Sequence, residues 1–312
     1  MFFVLLVSVG FVFIFRATLA SATKEKSLFT VFFKILINHI QLLSLLASFN
    51  LRWPSQVQTF FDMTKPVADI AANNFSFSCL LQISGFRSFS YFYLKLILLI
   101  SAPLLLIGLI LGILTLKYRR NVKAARLRTT AGVLLLLFFI HPSITSITFQ
   151  AFLCKDIESV KWLVADLAEE CWTGLHLLFA VIAGLGAAVW SFGIPVGTWA
   201  ILAEEKPRLQ NREVRLKYGF LYKGFKPSAY YWESFIMLRK VAIIFVASLL
   251  STWGEIIQAY ILIFLLFFFG LATARISPYL SRTLNYLEMF SLFSALVSVY
   301  LGLFFLTSTS SQ

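Results

Sequence analysis

From Phe92 to Cys154 the chain reads "FYLKLILLISAPLLLIGLILGILTLKYRRNVKAARLRTTAGVLLLLFFIHPSITSITFQAFLC". Two long apolar runs flank the segment Lys117–Arg128, which carries six basic residues and no acid. Each run is long enough for a helix to cross the ~30 Å hydrocarbon core of a bilayer, which takes about 20 residues. In lipid a backbone must satisfy its own hydrogen bonds, so these runs are expected to be helices joined by a basic turn. An outer-membrane barrel would need strands of about ten alternating residues, and these runs are longer and do not alternate.

The same pattern recurs along the chain. Of 312 residues, 59% are hydrophobic and 13% charged, whereas soluble domains are nearer half apolar and about a quarter charged. The expected fold class is all-α, a polytopic membrane bundle of about eight helices. Their expected spans are Phe2–Ala20, Leu28–Asn50, Phe92–Lys117, Thr130–Cys154, Gly174–Ala203, Ser234–Trp253, Ile256–Ala274 and Asn285–Leu306. Residues 51–91 and 155–173 become outer loops, and 204–233 an interfacial segment on the other side.

Orientation follows from the loops. Glu204–Lys226 has seven basic and three acidic residues, and Arg275–Leu284 adds Arg275 and Arg282. Lys155–Thr173 instead has two basic and five acidic residues. Basic and acidic loops alternate along the chain, so the positive-inside rule puts the basic ones in the cytoplasm and the acidic one outside. That bias also accounts for the net charge of +13 without nucleic acid as a partner. It leaves Met1 outside, with two explanations open. The first segment is a cleaved signal peptide ending in ATLASA, or the chain is the membrane end of a longer protein with an upstream ectodomain. The absence of a basic stretch before the first apolar run favours the second.

Several residues stand out on the outer side. Asn74-Phe75-Ser76 is an N-glycosylation acceptor triplet. Cys79, Cys154 and Cys171 all map there, which suits an oxidising exterior. Cys154 and Cys171 bracket the acidic loop and form the preferred disulfide, although spacing alone leaves the other pairings open. Ile157, Val160, Val164 and Leu167 fall at helical spacing, so that loop is expected to hold an amphipathic helix. Gly108 with Gly112, and Ala180, Gly184 and Ala188, have the spacing of close helix–helix packing. Pro142 and Pro195 are expected to kink their helices.

On the basic side, "YGFLYKGFKPSAYYWESFIMLRK" (Tyr218–Lys240) holds four basic residues and eight aromatics. Rings and lysines of this kind belong at a membrane interface. Arg239 and Lys240 lie one to two turns inside a spanning helix. They either snorkel to the headgroups or pair with Glu288, which enters the bilayer at similar depth.

These stretches resemble a known family. KILINHIQLLSLLASFNLRWP (Lys34–Pro54), FSFSC (Phe75–Cys79), HPSIT with FLCKDIE (His141–Glu158), ADLAEECWTGLH (Ala165–His176), FGIP (Phe192–Pro195), the KYGFLYKG and YYWES blocks, and NYLEMFSL (Asn285–Leu292) carry the likeness. They resemble the multi-pass C-terminal membrane region of protist surface proteins with cysteine-rich, ephrin-receptor-like repeats. That family has been termed G-protein-coupled-receptor-related and is distantly similar to fungal TRP-like channels. Ser78 and Leu175 stand where the family tends to have acids. The resemblance implies an upstream ectodomain and a place in the plasma membrane or a secretory-pathway membrane.

No enzyme constellation is present, and no cofactor or metal site is expected. The chain has no phosphate loop, HExxH or CxxC, and His39, His141 and His176 fall on different segments. His141, Thr145 and Thr148 share one helical face, with Ser143, Ser146 and Gln150 in a second row. Polar residues in mid-membrane line water or bond neighbouring helices. The expected pathway set is His141, Thr145, Thr148 and Gln150, beneath the acidic outer loop, with His141 conferring sensitivity near its ordinary pKa of about 6.5. The leading expectation is TRP-like, channel-type transport of ions or lipid. The alternative is a membrane anchor and signalling region for a receptor or adhesion protein, possible as a homo-oligomer in the lipid bilayer.

Overall fold

The computed structural model describes residues 28–49, 51, 53–68, 90–119 and 121–309. Phe2–Ala20, Asn74 and Cys79 lie outside them. The described elements, in order, are α1 (Leu28–Leu46), α2 (Ser55–Ala68), α3 (Tyr91–Lys117), α4 (Val122–Gln150), β1 (Cys154–Ile157), β2 (Val160–Leu163), β3 (Asp166–Glu170), α5 (Gly174–Gly186), a π-helical stretch Ala187–Gly193, α6 (Ile194–Glu205), α7 (Arg212–Tyr222), α8 (Trp232–Leu249), α9 (Glu255–Ile276) and α10 (Arg282–Thr309).

Among the described residues five helical segments, rather than eight, are long and apolar enough to cross a membrane. They are Tyr91–Lys117, Ala125–Gln150, Gly174–Arg208, Glu255–Ile276 and Arg282–Thr307. The apolar helix Thr30–Leu46 is shorter, and α8 carries Glu233, Arg239 and Lys240. Both nevertheless lie at the heart of the bundle. Leu42 and Leu46 of α1 share a core with Ile243 of α8, Leu262 of α9 and Val299 of α10. Helices that face lipid must be apolar, whereas helices surrounded by protein are free to carry charge. α3 is the opposite case. Leu104, Leu105 and Leu109 are exposed, and a Cβ added at Gly108 or Gly112 would meet nothing. Among the described residues, none packs against that glycine pair. The close approach is at Gly186 instead, where a Cβ would run into Ile100 and Thr148.

The loops sort to two ends. At one end Lys123, at the start of α4, pairs with Glu213 of α7. That ammonium holds the exposed Glu213 carboxyl below its ordinary range. At the same end the Lys226 N–H donates to Pro278 O and the Leu280 N–H to Gly224 O. Gly224 has φ +92°, and a Cβ there would collide with Val31, so glycine is required twice over. All three basic loops thus meet at one end.

The acidic loop forms the opposite end, and it is a sheet where the apolar spacing suggested a helix. β1, β2 and β3 make an antiparallel meander with Cys154 opposite Leu163 and Ile157 opposite Val160. Two local causes override the helical spacing. Glu158 and Ser159 both take positive φ, which is the backbone of a two-residue hairpin turn. A disulfide joins Cys154 to Cys171 across 17 residues of sequence, holding the ends of the meander together in a way a straight helix of that length would not allow. Ser90 Oγ donates to Asp166 Oδ2 at 2.5 Å and Tyr93 Oη to Glu169 Oε2 at 3.1 Å, so two of the acids tether the sheet to α3.

Two predictions follow from this arrangement. Cysteines introduced one at a time at Lys123 and Lys206 are shielded from an impermeant thiol reagent in intact cells, and one at Lys161 reacts; labelling at Lys206 from outside would reverse the orientation. Replacing Cys154 and Cys171 together by serine lowers stability by about 3 kcal/mol, the loop-entropy value for a closed loop of this order, read as a lower midpoint in thermal unfolding of detergent-solubilised protein.

Candidate functional site: a buried charge cluster and a polar cavity

Residues 34, 38 and 41 lie on one face of α1, at the i, i+4, i+7 spacing that stacks side chains along a helix. Lys34, Asn38 and Gln41 are all buried. Facing them, α8 presents Glu233, Arg239 and Lys240, also buried. Lys34 Nζ lies 2.6 Å from Glu233 Oε2, donates to Phe220 O at 3.2 Å and sits 4.4 Å from the centre of the Phe225 ring. Lys34 and Glu233 escaped the sequence reading. The signal was the polar face of α1 within an apolar segment, together with the acid in YYWES.

Arg239 and Lys240 do not share a partner. Arg239 Nη1 donates to Glu288 Oε1 at 2.9 Å, and Tyr279 Oη donates to Glu288 Oε2 at 3.3 Å. Burial, reinforced by the Glu288 charge, keeps the Tyr279 hydroxyl well above the ordinary phenol range, so it remains a donor. Lys240 Nζ turns away to Gln41 Oε1 at 2.5 Å and lies 4.5 Å from the centre of the Phe138 ring. Adjacent helical residues point about 100° apart, and this is why Lys240 faces α1 while Arg239 faces α10. Nearby, Ser291 Oγ is 2.8 Å from His39 Nδ1.

The two polar rows of α4 also separate. His141, Thr145 and Thr148 have no exposed surface. Thr145 Oγ1 donates to His141 O at 2.8 Å and Thr148 Oγ1 to Ile144 O at 3.0 Å, so both hydroxyls serve their own helix. His141 Nε2 is 3.2 Å from Ser191 O. Pro195 has no N–H for the carbonyl four residues back, and this carbonyl belongs to Ser191; the imidazole N–H fills that place in the π-helical stretch. The expected pathway through His141, Thr145 and Thr148 is therefore corrected: these residues pack the bundle. The other row, Ser143, Ser146 and Gln150, faces a cavity of about 350 Å³. Opposite it, Gln41 and Ser44 of α1 and Ser48 in the turn after it line the same cavity, with Val164 and Ala165 of the sheet end. Of the expected set, only Gln150 borders open space, and its Nε2 donates to Ser146 Oγ at 3.0 Å.

At the sheet end, His176 lies with Cys154 and Cys171 in a group spaced to hold a metal. The disulfide uses both thiols, and a metal needs thiolate. His176 Nδ1 accepts from the Trp172 N–H at 2.9 Å, which leaves its Nε2 to donate to Ala151 O at 3.1 Å. The ring pins β3 to the end of α4.

The Arg239–Glu288 pair generates a prediction. Glu288→Gln strands a buried guanidinium and destabilises the domain by about 3–5 kcal/mol, the usual cost of breaking a buried pair by removing one partner. Exchanging the charges, Arg239→Glu with Glu288→Arg, recovers part of that loss in a detergent thermal-shift measurement. A double variant no more stable than either single change would show that the pair does not act as a unit.

No family model matches the chain, and no solved structure matches it. A stretch of 121 residues, 36% of the chain, is 34% identical to Cysteine repeat modular protein A of Toxoplasma gondii. The match covers 4% of that protein, so the chain spans only a small fraction of its relative's length. The similarity reaches a cysteine-repeat protist protein and does not extend to the G-protein-coupled-receptor-related or TRP-like parts of the resemblance.

Proposed function

We propose that this chain is a non-enzymatic, multi-pass membrane domain that anchors a protist surface protein and relays the state of its outer face to its cytoplasmic loops. The observation that carries the reading is the sealed charge cluster at the basic-loop end. Lys34–Glu233 and Arg239–Glu288 tie α1 to α8 and α8 to α10, and Trp232, Tyr279, Phe225 and Ile236 form a fully packed core around them. Buried pairs of this kind specify one arrangement of helices, which an anchor under an outer region requires. The disulfide-closed sheet supplies a rigid outer platform, and the similarity to a cysteine-repeat protein fits a place at the cell surface.

Channel-type, TRP-like transport is the second reading, and the polar cavity between α1 and α4 favours it. The cavity borders Gln41, and among the described residues Lys34 lines a separate void of about 10 Å³. A void of that size is about one water probe and carries no stream of ions. The two readings part in reconstituted liposomes. The anchor reading expects no ion or lipid flux above that of empty vesicles, at either sign of membrane potential. Sustained flux that is abolished by a bulky Ser146→Trp substitution in the cavity would replace anchoring with transport.

A further inference from the structure

The cavity between α1 and α4 has a third wall. α8 borders it with Ile244, Ala247 and Ser248. The polar groups around it divide into those already bonded and those left over. Ser48 Oγ donates to Leu45 O at 2.6 Å, and Ser143 is likewise engaged. Ser248 keeps only 7% of its surface exposed, and among the described residues neither its hydroxyl nor that of Ser44 has a hydrogen-bond partner. Ser146 Oγ accepts from Gln150 Nε2 at 3.0 Å, which leaves the serine proton and Gln150 Oε1 unused. Polar groups withdrawn from bulk water normally find a partner, and leaving one unmet costs free energy. Three hydroxyls and one amide oxygen therefore await a ligand on three different helix walls.

The lining narrows the chemistry of that ligand. Among the described residues bordering the cavity none is charged, and an ion taken out of water without a counter-charge is costly, so the occupant is neutral. The unused groups suit a hydroxyl, which donates one hydrogen bond and accepts others. The remaining walls are apolar, formed by Leu45, Leu153, Val164, Ala165, Ile244 and Ala247. An ordered water needs about two to four polar partners and finds none on those side chains. A volume of about 350 Å³ falls within the ~300–1,000 Å³ of small-molecule pockets, which combine apolar walls with a few polar groups.

We infer that the cavity bordered by α1, α4 and α8 binds a neutral aliphatic alcohol, its hydroxyl bonded among Ser44, Ser146, Ser248 and Gln150 Oε1 and its hydrocarbon laid against the apolar walls. Such a hydroxyl comes either from a membrane glyceride or from a free polyol in solution. The apolar walls favour the glyceride, because a free polyol has no hydrocarbon to place on them. The site is independent of the anchor reading, because a bound alcohol neither requires nor excludes flux.

The test is photolabelling of the purified 312-residue chain in phosphatidylcholine nanodiscs with an octanol that carries a diazirine, the labelled residues being mapped by peptide mass spectrometry. Saturable labelling at Leu45, Leu153 or Ala247 is expected. It is blocked by 1-octanol and, at lower concentrations, by a monoacylglycerol, but not by octane. Ser44→Ala with Ser248→Ala weakens the labelling at least ~5-fold, as the loss of two neutral hydrogen bonds implies. Gln150→Leu weakens it ~2-fold or more and covers the case in which the double variant does not fold, folding being checked by the thermal midpoint. Labelling that fails to saturate, or that is unchanged in a folded variant, overturns the inference. Octane competing as well as octanol also overturns it, by removing any role for the hydroxyl. Glycerol competing at lower concentrations than octanol overturns it too, by making the ligand a free polyol.

Discussion

The arrangement depends on how five charged side chains are kept out of lipid. Lys34, Glu233, Arg239, Lys240 and Glu288 sit on three helices, α1, α8 and α10, of which α10 is long and apolar enough to cross a membrane while α1 is shorter and α8 carries three of the charges. An isolated charge in the middle of a spanning helix costs about 2.5–3.5 kcal/mol on insertion scales, so each charge favours a neighbouring helix that supplies a partner. Pairing Lys34 with Glu233 and Arg239 with Glu288 fixes which helix faces which and at what depth. The purely apolar contacts higher in the bundle, among Leu46, Leu262 and Val299, tolerate rotation and sliding far more readily, because apolar packing is not directional.

The remaining elements are arranged around that centre according to what they can bury. α3, α5 and α9 carry little polarity and take peripheral positions, with the apolar Leu105, Leu185 and Phe264 exposed. α4 bridges the two regimes. One of its polar rows is consumed inside the bundle, where His141 supplies the N–H that Pro195 cannot. The other borders the cavity. Two polar rows, Gln41 and Ser44 of α1 with Ser48 just beyond it, and Ser143-Ser146-Gln150 on α4, therefore border the same open space. This is a feature of two helices at once and belongs to neither sequence segment separately.

The two ends of the bundle are held by different chemistry. The basic end is closed by aromatics and backbone hydrogen bonds between loops distant in sequence, as at Gly224 and Leu280. The acidic end is closed covalently, by Cys154–Cys171, and by the two acids that reach Ser90 and Tyr93. One end is thus closed by a covalent bond and the other by hydrogen bonds, ion pairs and aromatic packing.

The sequence alone determined the helical class, the alternation of basic and acidic loops between two ends, and the depth shared by Arg239 and Glu288. All three follow from local properties, namely apolar length, loop charge and distance along a helix from the interface. Only the tertiary structure decided the rest. Lys240 turns to Gln41 because neighbouring helical residues point in different directions and the bundle places different helices on each side. The outer loop is a sheet because a hairpin turn at Glu158–Ser159 and a disulfide outweigh an apolar spacing of three and four. Ser143 and Ser146 face the cavity while His141 does not, because a single helix shows two polar rows and only its neighbours select between them.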